Sequence, residues 1–404
     1  MNKSAFLEAG NTPTLIAAFL YFDVAFMVWV MLGPLGVGIA SDLHLSHAEK
    51  GLMVATPVLA GAFLRLVMGV LVDRLSPRTA ALIGQVVVIG ALAFAWLNGI
   101  HNFNETLIMG CFLGVAGASF AAALPLASRW YPPEHQGKAM GIAGAGNSGT
   151  ALAALFAPGL AAAFGWTNVF GIALIPLTIV LIAFFFMAKD APDAPPPKTF
   201  AQYLHVLKDA DAWWFMFFYS VTFGGFVGLS SSLVIYFNTQ YGLDAKTAGY
   251  FTAACVFAGS AVRPIGGFVA DRIGGVKALS VVYVLAAMCL VFVSFGLPSP
   301  WLALAGFAGA MLCLGTGNGA VFQLVPQRFR KEIGVMTGLV GAAGGVGGFY
   351  LASSLGLSRQ MTGSYQMGFL IFAALAVVAV LGLTGVKQRW RTTWGAANLV
   401  GARI

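Results

Sequence analysis

The sequence predicts an all-α membrane protein with twelve transmembrane helices in two pseudo-symmetric six-helix bundles. Three observations carry that prediction. The 404 residues are 59% hydrophobic and only 9% charged, with a mean hydropathy of +0.85, whereas a soluble domain carries about 25% charged residues. Apolar runs of about 20 residues or more, the length a helix needs to cross a bilayer, recur along the chain. Residues 60–78, AGAFLRLVMGVLVDRLSPR, are echoed by 258–276, AGSAVRPIGGFVADRIGGV, so that Arg65, Asp73 and Arg74 return as Arg263, Asp271 and Arg272, each 198 positions later.

The runs are long and continuous, which favours helices over the short alternating segments of a β-barrel. The 51 glycines suit close approach of membrane helices. Spans fall near 13–38, 50–72, 79–98, 105–127, 138–164, 167–187, 213–237, 247–270, 278–296, 301–325, 333–357 and 365–386. Most connections are short. The exception is the linker 189–211, with Pro195-Pro196-Pro197, which divides a first six-helix bundle (1–188) from a second (212–404) ending in a short tail.

Charge sets the orientation. Of the 22 Lys and Arg residues, seventeen fall on the side that receives both termini and three (Lys50, Lys246, Arg359) on the other; the remaining two are Arg65 and Arg263. The positive-inside rule then places both termini and the linker in the cytoplasm of a multi-pass inner-membrane protein. The net charge of +8 is read as this topology signal, so nucleic acid is not an expected partner. No cleaved signal peptide is evident at the start. The four cysteines lie in apolar runs without metal-ligand or redox spacing and read as packing residues. No catalytic triad, paired catalytic carboxylates or metal cluster lies in the spans, and the five histidines fall in loops or at helix ends. Neither an enzyme nor a cofactor-binding protein is expected. Asn104-Glu105-Thr106 fits a glycosylation triplet, a pattern common by chance.

Repetition extends beyond the arginines. GIAGAGNSG at 141–149 is matched by GLVGAAGGV at 338–346, 197 positions on. Two like-oriented repeats predict a binding site between the halves near the midplane. The glycines Gly141/Gly144/Gly146/Gly149 and Gly338/Gly341/Gly344/Gly345/Gly347/Gly348 supply smooth helix contacts that sliding or rocking helices need.

At about 1.5 Å rise per residue, Arg65 sits roughly 12 Å from the helix end at Asp73, near mid-bilayer. Arg263 does the same in the second half. Such a charge costs at least about 2.5–3.5 kcal/mol on insertion scales and faces a bundle interior or watery cavity. A guanidinium cannot shed its proton to escape, so an anion must compensate. Asp23 is the only carboxylate at similar depth and is one partner for Arg65; Arg263 has none nearby. One fixed carboxylate against two guanidiniums favours a site for a small flat anion such as nitrate, nitrite or a carboxylate, matched by the planar fork. Tyr219 and Phe223 share a helix face, Phe120 adds a ring in the fourth span, and Asn147 offers an amide to an oxyanion or to a neighbouring helix.

The loop pattern Gly-x-x-x-Asp-Arg stands here as Gly69-Val70-Leu71-Val72-Asp73-Arg74, with Arg78 following, and as Gly267-Phe268-Val269-Ala270-Asp271-Arg272, with Gly274 and Lys277. With these residues the chain resembles the major facilitator superfamily along all twelve helices, although Ser76 stands where the usual pattern has glycine. Arg65, Arg263 and the glycine-rich stretches of the fifth and eleventh spans resemble the nitrate/nitrite porter family within it. The resemblance implies a major-facilitator-type fold and a secondary active transporter of nitrate, with nitrite as a further substrate. It implies that Arg65 and Arg263 clamp the anion and that Phe120 and Phe223 sandwich it. Tyr219 and Asn147 become polar neighbours, and Gly144, Gly146, Gly341 and Gly344 count among the substrate-binding positions. Asp73, Arg74, Asp271 and Arg272 are expected at the gate. The segment YFDVAFMVWVMLGPLG around Asp23 resembles first spans of the proton-coupled branch. A carboxylic acid that takes a proton when desolvated and releases it near water suits a symport carrier. Proton-coupled nitrate import by a monomer in the lipid bilayer is therefore the expectation. Nitrate/nitrite exchange, another small anion, or an anion channel are the alternatives.

Overall fold

The computed structural model describes residues 3–192, 205–329 and 332–394. The proline run, Arg330, Lys331 and the tail from 395 onward lie outside the described residues, as does most of the expected linker. Twelve described helices are long and apolar enough to cross a membrane: α1 Thr12–Trp29, α2 His47–Arg74, α3 Pro77–Asn98, α4 Phe103–Ser128, α5 Ala139–Phe164, α6 Trp166–Met187, α7 Ala210–Tyr241, α8 Ala245–Ile273, α9 Gly275–Ser294, α10 Pro300–Arg328, α11 Ile333–Thr362 and α12 Gln366–Thr392. No strand occurs among the described residues.

Local chemistry fixes the helix starts. Ser46 and Glu49 form a reciprocal capping box on α2. Ser76 and Asp244 accept from Thr79 N–H and Thr247 N–H at the starts of α3 and α8. Asn102 caps α4 by accepting from Glu105 N–H, which puts Asn104 of the glycosylation-like triplet in the first helical turn.

Two spans depart from the expected continuous runs. The first, expected to reach residue 38, stops at Trp29 and resumes as a short helix at Gly36–Asp42. Pro34 has no N–H to continue the ladder and disfavours helical backbone at Gly33. The break brings Gly33 against α7, where a Cβ would lie 2.2 Å from the Ser231 carbonyl oxygen. The fifth span tightens into a 3-10 turn at Ala145–Ser148. Just beyond it, a Cβ on Gly149 would fall 1.8 Å from the Asp23 carbonyl oxygen, so α1 and α5 touch backbone to backbone.

The helices pair alike in the two halves. In the first, α2 packs on α4, α3 on α6 and α1 on α5; in the second, α8 packs on α10, α9 on α12 and α7 on α11. The halves meet through α2 with α11 and α5 with α8. Small residues form that seam. A Cβ on Gly51 would sit 2.9 Å from Gly356 Cα, one on Gly345 would sit 2.7 Å from Ala62 Cβ, and one on Gly249 would sit 2.5 Å from the Ala154 carbonyl oxygen. His47 N–H donates across it to Gln360 Oε1 at 3.1 Å. Gly51, Gly249, Gly356 and His47 all belong to the end opposite the start of α1. At the end where α1 starts and α12 finishes, each half carries its own ionic tie. Arg129 pairs with Asp73 at 3.7 Å. Buried Asp211 accepts from Arg328 Nε at 2.9 Å, from Trp390 Nε1 at 2.7 Å and from Arg389.

Candidate anion site

Arg65 projects from the middle of α2 and is only 1% exposed. Its Nε donates to the Gly117 carbonyl at 3.0 Å. That carbonyl is free because α4 is interrupted at Ala118–Ser119: the Ala121 N–H bonds to Ala118 O at 3.0 Å, a tightened i−3 contact. Nη1 donates to the Gly341 carbonyl of α11 in the other half. Nη2 is buried with no partner. Three rings surround the guanidinium, with their centroids 5.2 Å (Trp29), 5.4 Å (Phe120) and 5.1 Å (Phe223) from Cζ. Such cation–π contacts contribute about 0.5–2 kcal/mol each, and they offset part of the desolvation without neutralising the charge.

Arg263, on α8, is half-buried. Its Nη2 donates to Tyr219 Oη at 3.2 Å, its Nη1 is buried without a partner, and its Cζ lies 6.0 Å from the Phe322 ring. Tyr219 and Phe223, one turn apart on α7, stack at 5.1 Å with 4° between planes. Tyr219 thus meets Arg263 while Phe223 meets Arg65. Phe322 closes the ring of aromatics, edge-on to Tyr219 at 5.0 Å and 6.1 Å from Phe120.

Asp23 accepts from Ser148 Oγ at 2.7 Å, and among the described residues no ion pair involves Arg65 or Arg263. The pairing of Asp23 with Arg65 considered from sequence is therefore not made. Nor does Arg65 present a whole fork to a ligand. Two of its nitrogens are committed to carbonyls, and the open edge is Nη2.

Of the remaining expected residues, Asn147 is 1% exposed, with neither side-chain atom partnered. Gly341 and Gly344 lie in the site: a Cβ on the first would be 3.6 Å from Arg65 Nη1, and on the second 2.8 Å from both Phe223 Cδ1 and Tyr219 Cδ1. Gly146 serves α1–α5 packing, pressed on Phe22 at 2.8 Å, while Gly144 meets only Leu124 at 4.0 Å, so neither is brought to the arginines. Asp73 is held by Arg129 of its own half. Arg74 and Asp271 are exposed, and Arg272 covers the Phe268 ring at 4.2 Å. Trp29 and Phe322 escaped the sequence reading, since one aromatic among many in apolar runs carries no local signal. Trp29 is fixed by its Nε1–H donating to Pro57 O at 2.7 Å; α2 has no N–H at Pro57 and continues through it.

Twelve spans in two like halves, around a cationic centre to which no carboxylate is paired among the described residues, define a polytopic membrane transporter. The family model described as Major Facilitator Superfamily matches residues 15–352. The chain is 35% identical to the probable nitrate/nitrite transporter NarK2 of Mycobacterium tuberculosis, over 92% of this chain and 95% of that one. It is 32% identical to the nitrite extrusion protein of Bacillus subtilis, over 88% and 89% of the two chains. A solved bacterial homologue of the human lysosomal transporter Spinster, in an inward-facing and occupied conformation, shares the fold with a TM-score of 0.70 at 17% identity, over 93% of this chain and 96% of that one. The chain belongs to the Major Facilitator Superfamily and, within it, to the nitrate/nitrite porter family.

Proposed function

We propose that this protein moves nitrate, and nitrite as a second substrate, across the cytoplasmic membrane by alternating access, with protons as the coupling ion. The observation that carries the reading is the pair Arg65 and Arg263, one from each half, each with a buried nitrogen lacking a partner and with no carboxylate bridged to either among the described residues. A small planar anion supplies the missing acceptor, and the flanking rings of Phe120 and Phe223 suit a flat, weakly hydrated ion better than a tetrahedral phosphate. The names of the relatives support nitrate and nitrite as that anion.

The moving bodies are the halves 1–188 and 212–404, working as a monomer in the bilayer, with both termini and the 189–211 linker in the cytoplasm. Without anion, two like charges repel and keep the cleft hydrated. Bound anion neutralises part of that charge and lets the halves close on it. Gly341 and Gly344 let α11 come close to the arginines, and Gly144 and Gly146 keep α5 smooth where it lies against its own half. Arg65 bonds to Gly341 O of the opposite half, so reopening exchanges this contact for one to anion or water. Asp73, Arg74, Asp271 and Arg272 act at the cytoplasmic gate, where Asp73 leaves Arg129 to engage the other half. Asp23, held by a hydroxyl rather than by a cation, is the proton carrier.

Uptake into proteoliposomes tests this reading. Wild-type protein should accumulate nitrate against its gradient when an inward pH gradient is imposed. Arg65→Lys and Arg263→Lys should lose high-affinity uptake, because an ammonium cannot replace the guanidinium's several directed donors. Wild-type uptake by either variant would refute the clamp. Accumulation driven by a nitrite gradient and indifferent to pH would replace symport with exchange.

A further inference from the structure

A second amide, on α10, has the properties of Asn147 and no part in the site so far described. Asn318 is 0% exposed, and both Oδ1 and Nδ2 are without a hydrogen-bond partner. A buried amide left unpaired costs about 1–3 kcal/mol, so a position with nothing to bind would be better served by an apolar side chain.

Its neighbours on α10 locate it. Leu314 and Phe322, four residues before and after, share its helix face. Leu314 meets α7 at Gly225, where a Cβ would come 2.9 Å from Leu314 Cδ1, and Phe322 meets α7 at Tyr219, 5.0 Å between centroids. Next to Asn318, Gly319 touches α8 at the Arg263 carbonyl, 2.3 Å from its would-be Cβ. Asn318 therefore sits at the junction of α7, α8 and α10, one turn from the ring that lies over Arg263.

Donor arithmetic gives this position a task. Arg65 retains Nη2 and Arg263 retains a buried Nη1, because their other bonded nitrogens are committed to Gly117, Gly341 and Tyr219. Each of these two nitrogens carries two N–H groups, and together they match the four lone-pair positions on the two oxygens of nitrite. A three-oxygen anion such as nitrate offers one more acceptor edge. We infer that Asn318 completes the second half's share of the site: its Nδ2 donates to the third oxygen of a trigonal oxyanion and sets preference for nitrate over nitrite. The inference rests on the anion-site reading proposed above and extends it from charge to oxygen count.

The test is equilibrium binding of nitrate and of nitrite to the purified full-length protein, comparing wild type, Asn318→Leu and Arg263→Lys. Leucine keeps the branched shape and heavy-atom count and removes the unpaired amide. Nitrate affinity of Asn318→Leu should fall about tenfold or more, the worth of a hydrogen bond to a charged group, with nitrite affinity changed less than about threefold and thermal stability equal to or above wild type. Wild-type affinity for both anions would make Asn318 a packing residue and overturn the inference, as would equal weakening for both. Arg263→Lys separates the two readings, because unimpaired binding by that variant sinks the anion site itself. If Asn318→Leu is not recovered folded, Asn318→Ser, which shortens the donor, should show the same nitrate-selective loss, and its absence is equally decisive.

Discussion

Two glycines three residues apart on α11 should respond unequally to the same added methyl group. At Gly341 a Cβ would meet Arg65 Nη1 and Phe120 Cε1 at 3.6 Å, and at Gly344 it would meet Phe223 Cδ1 and Tyr219 Cδ1 at 2.8 Å and Tyr219 Cε1 at 3.0 Å. Carbon atoms rest at about 3.5–4.0 Å, so Gly341→Ala fits, whereas Gly344→Ala drives both stacked rings back by about 0.7–1 Å. Those rings bear on both arginines, since Phe223 covers Arg65 and the Tyr219 hydroxyl accepts from Arg263. Overpacking of this kind costs about 1–3 kcal/mol. If the rings move to relieve it, the cost falls on the ligand site, as about a 5- to 150-fold loss of nitrate affinity. Nitrate titration of the two purified variants, with thermal melting in parallel, reads both quantities. Gly341→Ala should stay within about threefold of wild type. A Gly344→Ala variant that binds and melts like wild type, or a Gly341→Ala variant that is the worse of the two, would refute the packing geometry.

Other substitutions follow from single contacts. Asp23→Asn should leave nitrate binding near wild type, since Asp23 touches Ser148 and not an arginine, while abolishing pH-driven accumulation in proteoliposomes. Trp29→Phe loses the Nε1 bond to Pro57 O and should lower stability by about 1–2 kcal/mol, read as a lower melting temperature. Asp211→Asn strips charge from the acceptor of Arg328, Arg389 and Trp390 and should destabilise by about 1–3 kcal/mol, since Arg328 keeps Asp209. At the cap of α8, bonds from Thr247 hold the Asp244 carboxyl below the usual carboxylate range. Its contribution is present above the unfolded value and is lost as pH falls through the lower folded value, so Asp244→Ala should melt at lower temperature than wild type at neutral pH and converge with it in acid.

Much of the architecture was legible because hydropathy and repetition are one-dimensional properties. Twelve runs gave twelve spans. The displaced copy of Arg65 at Arg263 announced a polar centre shared by two halves, and the four-residue spacing of Tyr219 and Phe223 announced a common face that proved to be a stack. The partners of Arg65 were not legible, because both are backbone carbonyls. Any residue brings one, and only the interruption of α4 at Ala118–Ser119 and the close approach of α11 turn Gly117 and Gly341 into acceptors. The break after Trp29 was hidden for a related reason: hydropathy runs straight through Gly33-Pro34, although Pro34 is a stop signal. Asn318 lay in a run rich in glycine and alanine, where one amide looks like interhelical glue until its lack of any partner is seen.

The seam between α2 and α11 meets glycine to glycine at Gly51 and Gly356. At that crossing no knob is seated in a hole, so parting the two backbones there requires no side chain to change rotamer. Motion along it is then resisted by broad, shallow dispersion forces and by two discrete catches, His47 N–H on Gln360 and Arg65 on the Gly341 carbonyl, the second of which ties the seam to what occupies the middle of the molecule. Roughening this joint with larger side chains would yield a sturdier protein and a slower one.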